Sequence, residues 1–165
     1  MKTFILSSLL FVASLIYAQE LHEPDFVFQA NYVNPNGTSM ELESQVPKAK
    51  HAEYSYTFKF QVKGATSPTR IINDDQPSFI VKMNDNSKDI EGVIHIYRME
   101  TVGSSRKGAY KSRNPADDKS YIPFSFSKYG EQSYKLKVSE SLEPGEYMIV
   151  IWADGARKVS LFGVD

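Results

Sequence analysis

EYSYTFKFQVK, residues 53–63, alternates without a break. Tyr54, Tyr56, Phe58, Phe60 and Val62 fall on one side, and Glu53, Ser55, Thr57, Lys59, Gln61 and Lys63 on the other. A side-chain period of two means an extended strand with one buried face and one wet face. Weaker versions of the pattern recur along the chain. Phe26 to Val33 runs into Asn34-Pro35-Asn36-Gly37, whose Asn-Gly pair suits a hairpin turn. Asn36-Gly37-Thr38 also matches a glycosylation acceptor, but it is a turn sequence first. Ser78 to Met83 and Val93 to Met99 are short and apolar. Tyr121 to Ser127 puts Ile122, Phe124 and Phe126 on one face, and Ser133 to Val138 does the same with Tyr134, Leu136 and Val138. Val159 to Val164 closes the chain.

Between these runs lie Gly, Pro, Asn and Asp. No segment carries a capped 3.6-residue period, although Ser39 to Lys50 leaves room for a helical turn. The pattern predicts an all-β domain, a two-sheet antiparallel sandwich of about 8 to 10 strands, immunoglobulin-like or jelly-roll-like. Thr101 to Lys119 is polar and charged and reads as a long exposed connection.

The stretch LEPGEYMIVIWADG, residues 142–155, is apolar on both faces from Tyr147 to Trp152, which predicts a central strand. Pro144 has the fixed φ of a turn's second residue, and Gly145 after it is able to take positive φ. Tyr147 offers a ring for the core and a hydroxyl for a nearby carbonyl. Leu142-Glu143-Pro144-Gly145-Glu146-Tyr147 resembles the turn entering a late strand of immunoglobulin-like sandwiches. That resemblance implies a tyrosine hydroxyl bonded back to the corner's backbone. The antibody-type disulfide is absent, since the chain has no cysteine. The chain as a whole is similar to small, uncharacterised exported sandwich proteins of Bacteroidetes-type bacteria. The likeness rests on its N-terminal segment, the Pro-Gly-Glu-Tyr turn and the Phe162-Gly163 ending; it implies no activity and carries no site residues.

That N-terminal segment reads as a secretory leader over residues 1–18: a positive start at Lys2, an apolar run from Phe4 to Ile16, and Ala18 before polar Gln19. The run is shorter than the roughly 20 residues a membrane span needs. The mature domain is then residues 19–165, placed in the periplasm or outside the cell. Losing the leader's one lysine leaves 18 cations against 20 acids, so nothing draws the chain globally to nucleic acid or anionic membrane. The lack of cysteine also excludes thiolate metal sites and cysteine nucleophiles.

Candidate chemistry is sparse. His22, His51 and His95 show no paired spacing with each other or with acids. Acids and amides from Asn73 to Glu91 suggest a calcium rim, but the EF-hand pattern fails: counted from Asp85, Ile90 stands where glycine is needed and Ile96 where glutamate belongs. Ordinary turns account for them. Trp152 reads as core, with a sugar-stacking platform as the alternative. Arg98, Arg106, Lys107, Lys111 and Arg113 form a basic cluster around Tyr110, with no acid between Thr101 and Ala116. Such a patch suits an acidic protein, an anionic glycan or a lipopolysaccharide phosphate. The leading expectation is an exported, non-catalytic binding module that uses this cluster, with no metal or cofactor and no nucleic acid. The alternative is a carbohydrate-binding module using exposed aromatics, and third a hydrolase whose site assembles in space.

Overall fold

The computed structural model describes residues 22–165, apart from 53–56, 73, 88, 112–113 and 154. The leader read over residues 1–18 lies outside the described residues, as do Glu53, Tyr54, Ser55 and Tyr56 of the alternating run. Two sheets form the fold. The first runs Phe124–Tyr129 (β11), Ser133–Val138 (β12), Ser78–Lys82 (β7), Gln29–Val33 (β1) and Ser39–Glu41 (β2), all antiparallel. The second runs Glu43–Gln45 (β3), Ala156–Val164 (β14), Gly145–Ala153 (β13), Ile94–Val102 (β8), Ser105–Lys111 (β9), Thr57–Lys63 (β5) and Lys48–Ala52 (β4). Tyr121–Ile122 (β10) pairs with β8, and Arg70–Ile71 (β6) makes a short parallel pairing with β14. The architecture is all-β and sandwich-like, with the second sheet strongly curled.

The curl gives the second sheet two buried faces. Ile94, Ile96, Tyr147, Ile149, Ile151, Phe162 and Val164 point at the first sheet and meet Tyr32, Phe79, Val81, Tyr134, Leu136 and Val138. The intervening residues Tyr97, Met99, Met148, Val150, Val159 and Leu161 point the other way. There β5 and β9 fold back over them and supply Phe58, Phe60, Val62 and Tyr110. This explains the sequence of β13: a strand with a core on each side has no wet face to mark with polar residues. It also explains β5, where Phe58, Phe60 and Val62 are buried while Lys59, Gln61 and Lys63 are exposed.

Three expectations are corrected. Ser39 to Lys50 contains no helical turn; it is divided among β2, β3 and the start of β4. Thr101 to Lys119 is not one long loop. Residues through Val102 belong to β8 and Ser105–Lys111 is β9, joined by a two-residue turn in which Gly103 sits at φ 59°. Two-residue hairpin turns need positive φ, which glycine adopts without penalty. The run from Tyr121 to Ser127 breaks at Pro123. That residue has no N–H to give a ladder, and the chain there leaves β8 in one sheet for β12 in the other. Ile122 is therefore buried in the core, while Phe126 is 37% exposed.

The turn before β13 carries the expected tyrosine contact. The Tyr147 hydroxyl donates to the Glu143 carbonyl at 2.6 Å, and its ring stacks on Phe162. Leu142 is buried, its N–H donating to the Asp75 carbonyl. Gly145 does not take positive φ; it is already the first residue of β13, paired with Val164. What it provides is room, because a Cβ there would meet Arg98 Nε at 3.3 Å. Tyr147→Phe is expected to lower stability by about 0.5–1.5 kcal/mol, the worth of one such hydrogen bond. Urea denaturation of the two proteins checks this, and equal midpoints would remove the corner's energetic role.

Candidate functional site

The outward face of the curl is lysine-rich because strand alternation puts it there. In register, Lys48 on β4 lies across from Gln61 on β5, Gln61 from Lys107 on β9, and Lys107 from Glu100 on β8. The neighbouring row places Lys50 across from Lys59, and Lys59 across from Ala109. The segment after Pro115–Asp117, a short 3₁₀ turn, forms a wall with Asp118, Lys119 and Ser120. Together these residues line an open groove of about 810 Å³, with Arg98, Phe60, Gly108 and Ala109 also in its lining.

The charges in this groove are unbalanced. Lys48, Lys50, Lys59, Lys107 and Lys119 are all exposed, and among the described residues none forms an ion pair. Arg98 is committed elsewhere: it donates to Glu143 Oε2 at 2.6 Å and to the Pro144 carbonyl at 3.0 Å. The hydrogen bond to Glu143 holds its pKa above the usual arginine value. Five lysines thus face the carboxylates of Glu100 and Asp118, and Asp118 already accepts from the N–H and hydroxyl of Ser120.

The basic cluster read from the sequence is split by this geometry. Arg98 and Lys107 line the groove. Lys111 lies outside it and donates to the Asp117 carbonyl at 3.2 Å. Arg113 lies outside the described residues. Arg106 is corrected outright: it is fully buried, 0% exposed. It faces inward on β9 opposite Val62, and donates to both Glu43 oxygens at 2.9 Å, to Glu146 Oε2 at 3.4 Å and to the carbonyls of Lys63 and Gly64. Lys48, Lys50 and Lys59 were missed as site residues because they belong to strands distant in sequence from Lys107. The signal was present as the wet side of the alternating run, where lysine recurs at Lys59 and Lys63.

A second, smaller hollow of about 290 Å³ is lined by Glu91, His95, Pro115, Ala116, Tyr121, Phe124 and Phe126. Among the described residues no serine, threonine or cysteine lines it. His95 is 2% exposed and packs among Tyr97, Tyr110 and Tyr121. Burial pushes its pKa down to about 4, partly offset by a hydrogen bond to the Gly92 backbone. Its Nε2 and the Tyr97 hydroxyl are buried without partners among the described residues. Burial likewise raises the Tyr97 pKa.

Trp152 is half-buried, edge-on to Phe58 at 4.7 Å, with the Arg157 guanidinium 4.3 Å from its ring centre. It packs against the second core but is not among its buried residues, so the core reading holds only in part. Tyr32, Tyr97, Tyr110, Tyr134 and Tyr147 are buried, which withdraws them as a sugar platform. The acids and amides from 74 to 91 serve turns. Asp74 accepts from the Tyr32 hydroxyl and the Gln76 N–H, Asp85 from Ser87, and Asp89 from the Glu91 N–H. Asn86 donates to the carbonyls of Tyr129, Gly130 and Ser133. Asn73 lies outside the described residues, among which no cluster of three metal-ligating side chains occurs. His22 is exposed and lies 3.4 Å from Asp25. No helix among the described residues is long and apolar enough to cross a membrane. The chain matches no known family model, no curated protein and no solved structure.

Proposed function

We propose that this chain is a non-catalytic binding module, exported by the leader at its N terminus, and that it holds an anionic ligand on the lysine-lined groove of the curled sheet. The observation that carries this reading is the direct opposition of Lys50 and Lys59 within a groove whose lysines, among the described residues, form no ion pair. Like charges directly across a strand pair destabilise the sheet. Several cations gathered in a concave face raise the local potential and draw in anions. Five lysines line this one groove, and a bound anion would offset their mutual repulsion.

The test is retention on a polyanionic dextran sulfate matrix at rising salt. The unmodified protein is expected to bind at low salt and elute as salt screens the contact. The double variant Lys50→Glu, Lys107→Glu is expected to lose on the order of tenfold or more in affinity, equivalent to about 1.4 kcal/mol. Lys50→Glu relieves the Lys50–Lys59 repulsion while Lys107→Glu sets a like charge across from Glu100, so the thermal midpoint should stay close to the parent's. Retention of the variant equal to that of the parent would overturn the assignment of this surface.

A further inference from the structure

We infer that the ligand of this groove carries two phosphate groups on a small body, an inference that rests on the anion-binding reading above. Three observations support it. The donors are lysines, and the one arginine present has its fork occupied by Glu143 and the Pro144 carbonyl. The planar arginine fork serves carboxylates and phosphates alike, whereas lysine acts as a compact point charge and is a common phosphate binder without it. The charge also fits. Five lysines against Glu100 and Asp118 leave an excess of three, and two phosphate monoesters bring about −3 to −4 at neutral pH.

The dimensions agree as well. Lys50 and Lys59 are directly opposed and form one cationic nest. Lys107 lies one strand across from Lys59 and two residues along, since Lys59 pairs with Ala109. Strand geometry puts those backbones roughly 8 Å apart, a distance that one sugar ring bridges. Ala109, the small outward residue beside Lys59, leaves space for such a body between the nests. A groove of about 810 Å³ is far larger than one phosphate needs and lies in the size range of small-molecule sites.

The experiment is calorimetric titration of the protein with a hexose bisphosphate, a hexose monophosphate and the sugar dicarboxylate galactarate, alongside sedimentation with vesicles containing phosphatidic acid. The bisphosphate is expected to bind on the order of tenfold or more tighter than either other sugar, and Lys59→Gln and Lys107→Gln should each weaken it severalfold. Binding of the soluble bisphosphate assigns the phosphates to a free ligand. Vesicle capture without soluble binding, lost in the same variants, would overturn the two-phosphate body in favour of single lipid phosphates, since phosphatidic acid carries only one. Galactarate binding as tightly as the bisphosphate would overturn the phosphate chemistry. So would retention on dextran sulfate with no response to any phosphate, and in both cases the anion-binding surface would stand. Loss of dextran sulfate retention from the parent protein would instead remove the underlying reading.

Discussion

Arg106→Ala is expected to destabilise the fold by about 3–5 kcal/mol, the usual cost of breaking a buried ion pair by removing one partner. The size follows from what the substitution leaves behind. Glu146 is 6% exposed and accepts from the Ser67 N–H at 2.8 Å, from Arg106 and from Arg70. Arg70 in turn holds Asp165 and the Val164 carbonyl, so one network ties β9, β13 and the end of β14 together. Deleting Arg106 leaves Glu43 without its bidentate partner, and the carbonyls of Lys63 and Gly64 without theirs. An unpaired buried carboxylate costs far more than the pair contributed. Arg106→Met, which keeps the stem's apolar packing but also leaves Glu43 without its cation, should be nearly as damaging. Arg106→Met combined with Glu43→Gln should recover part of the loss, because Glu43 is the carboxylate left without a cation while Glu146 keeps Arg70. Guanidinium denaturation of the four proteins checks the order. A loss below 1 kcal/mol for Arg106→Ala, the range of an exposed pair, would return Arg106 to the surface.

The same residue shows where sequence reading stops. Strand alternation is a local signal, so β5, β12 and the two-faced β13 were legible from their side chains alone. So was the Tyr147 contact, because proline, glycine and tyrosine have distinct conformational roles at a corner. The curl was not legible. Nothing within residues 53–63 says that their apolar side covers a second core rather than the first, because both demand the same pattern. Without the curl, Lys48, Lys50, Lys59 and Lys107 have no reason to be neighbours, and the groove does not exist. Arg106 was misplaced because a cation among cations looks wet. The corrective signals were Tyr110, four residues on and facing the same side, and Glu146, an acid next to a strand apolar on both faces. Each implied an inward position, and a buried acid implies a cation to meet it.

Acidification should separate the fold's two kinds of charge. The His95 pKa lies at about 4 in the folded protein against an ordinary 6.5, because the ring is buried among tyrosines. The unfolded chain takes up this proton near pH 6.5, and the folded chain only near pH 4. Between those values the unfolded state binds more protons, so stability falls as pH falls. Above pH 6.5 the histidine is neutral in both states and its contribution is complete; below pH 4 it is protonated in both and the loss from this group levels off. The full shift corresponds to about 3 kcal/mol. Glu91 is the carboxylate lining the same hollow. The comparison with His95→Phe isolates the histidine, since phenylalanine fits an aromatic surround and titrates nowhere. The parent is expected to lose stability more steeply than the variant from pH 7 to pH 4, by up to about 3 kcal/mol in the difference. Urea midpoints across that range measure it. Parallel curves for the two proteins would mean that His95 is protonated without resistance, which its position beneath Tyr110 and Tyr121 does not allow unless that aromatic cluster opens.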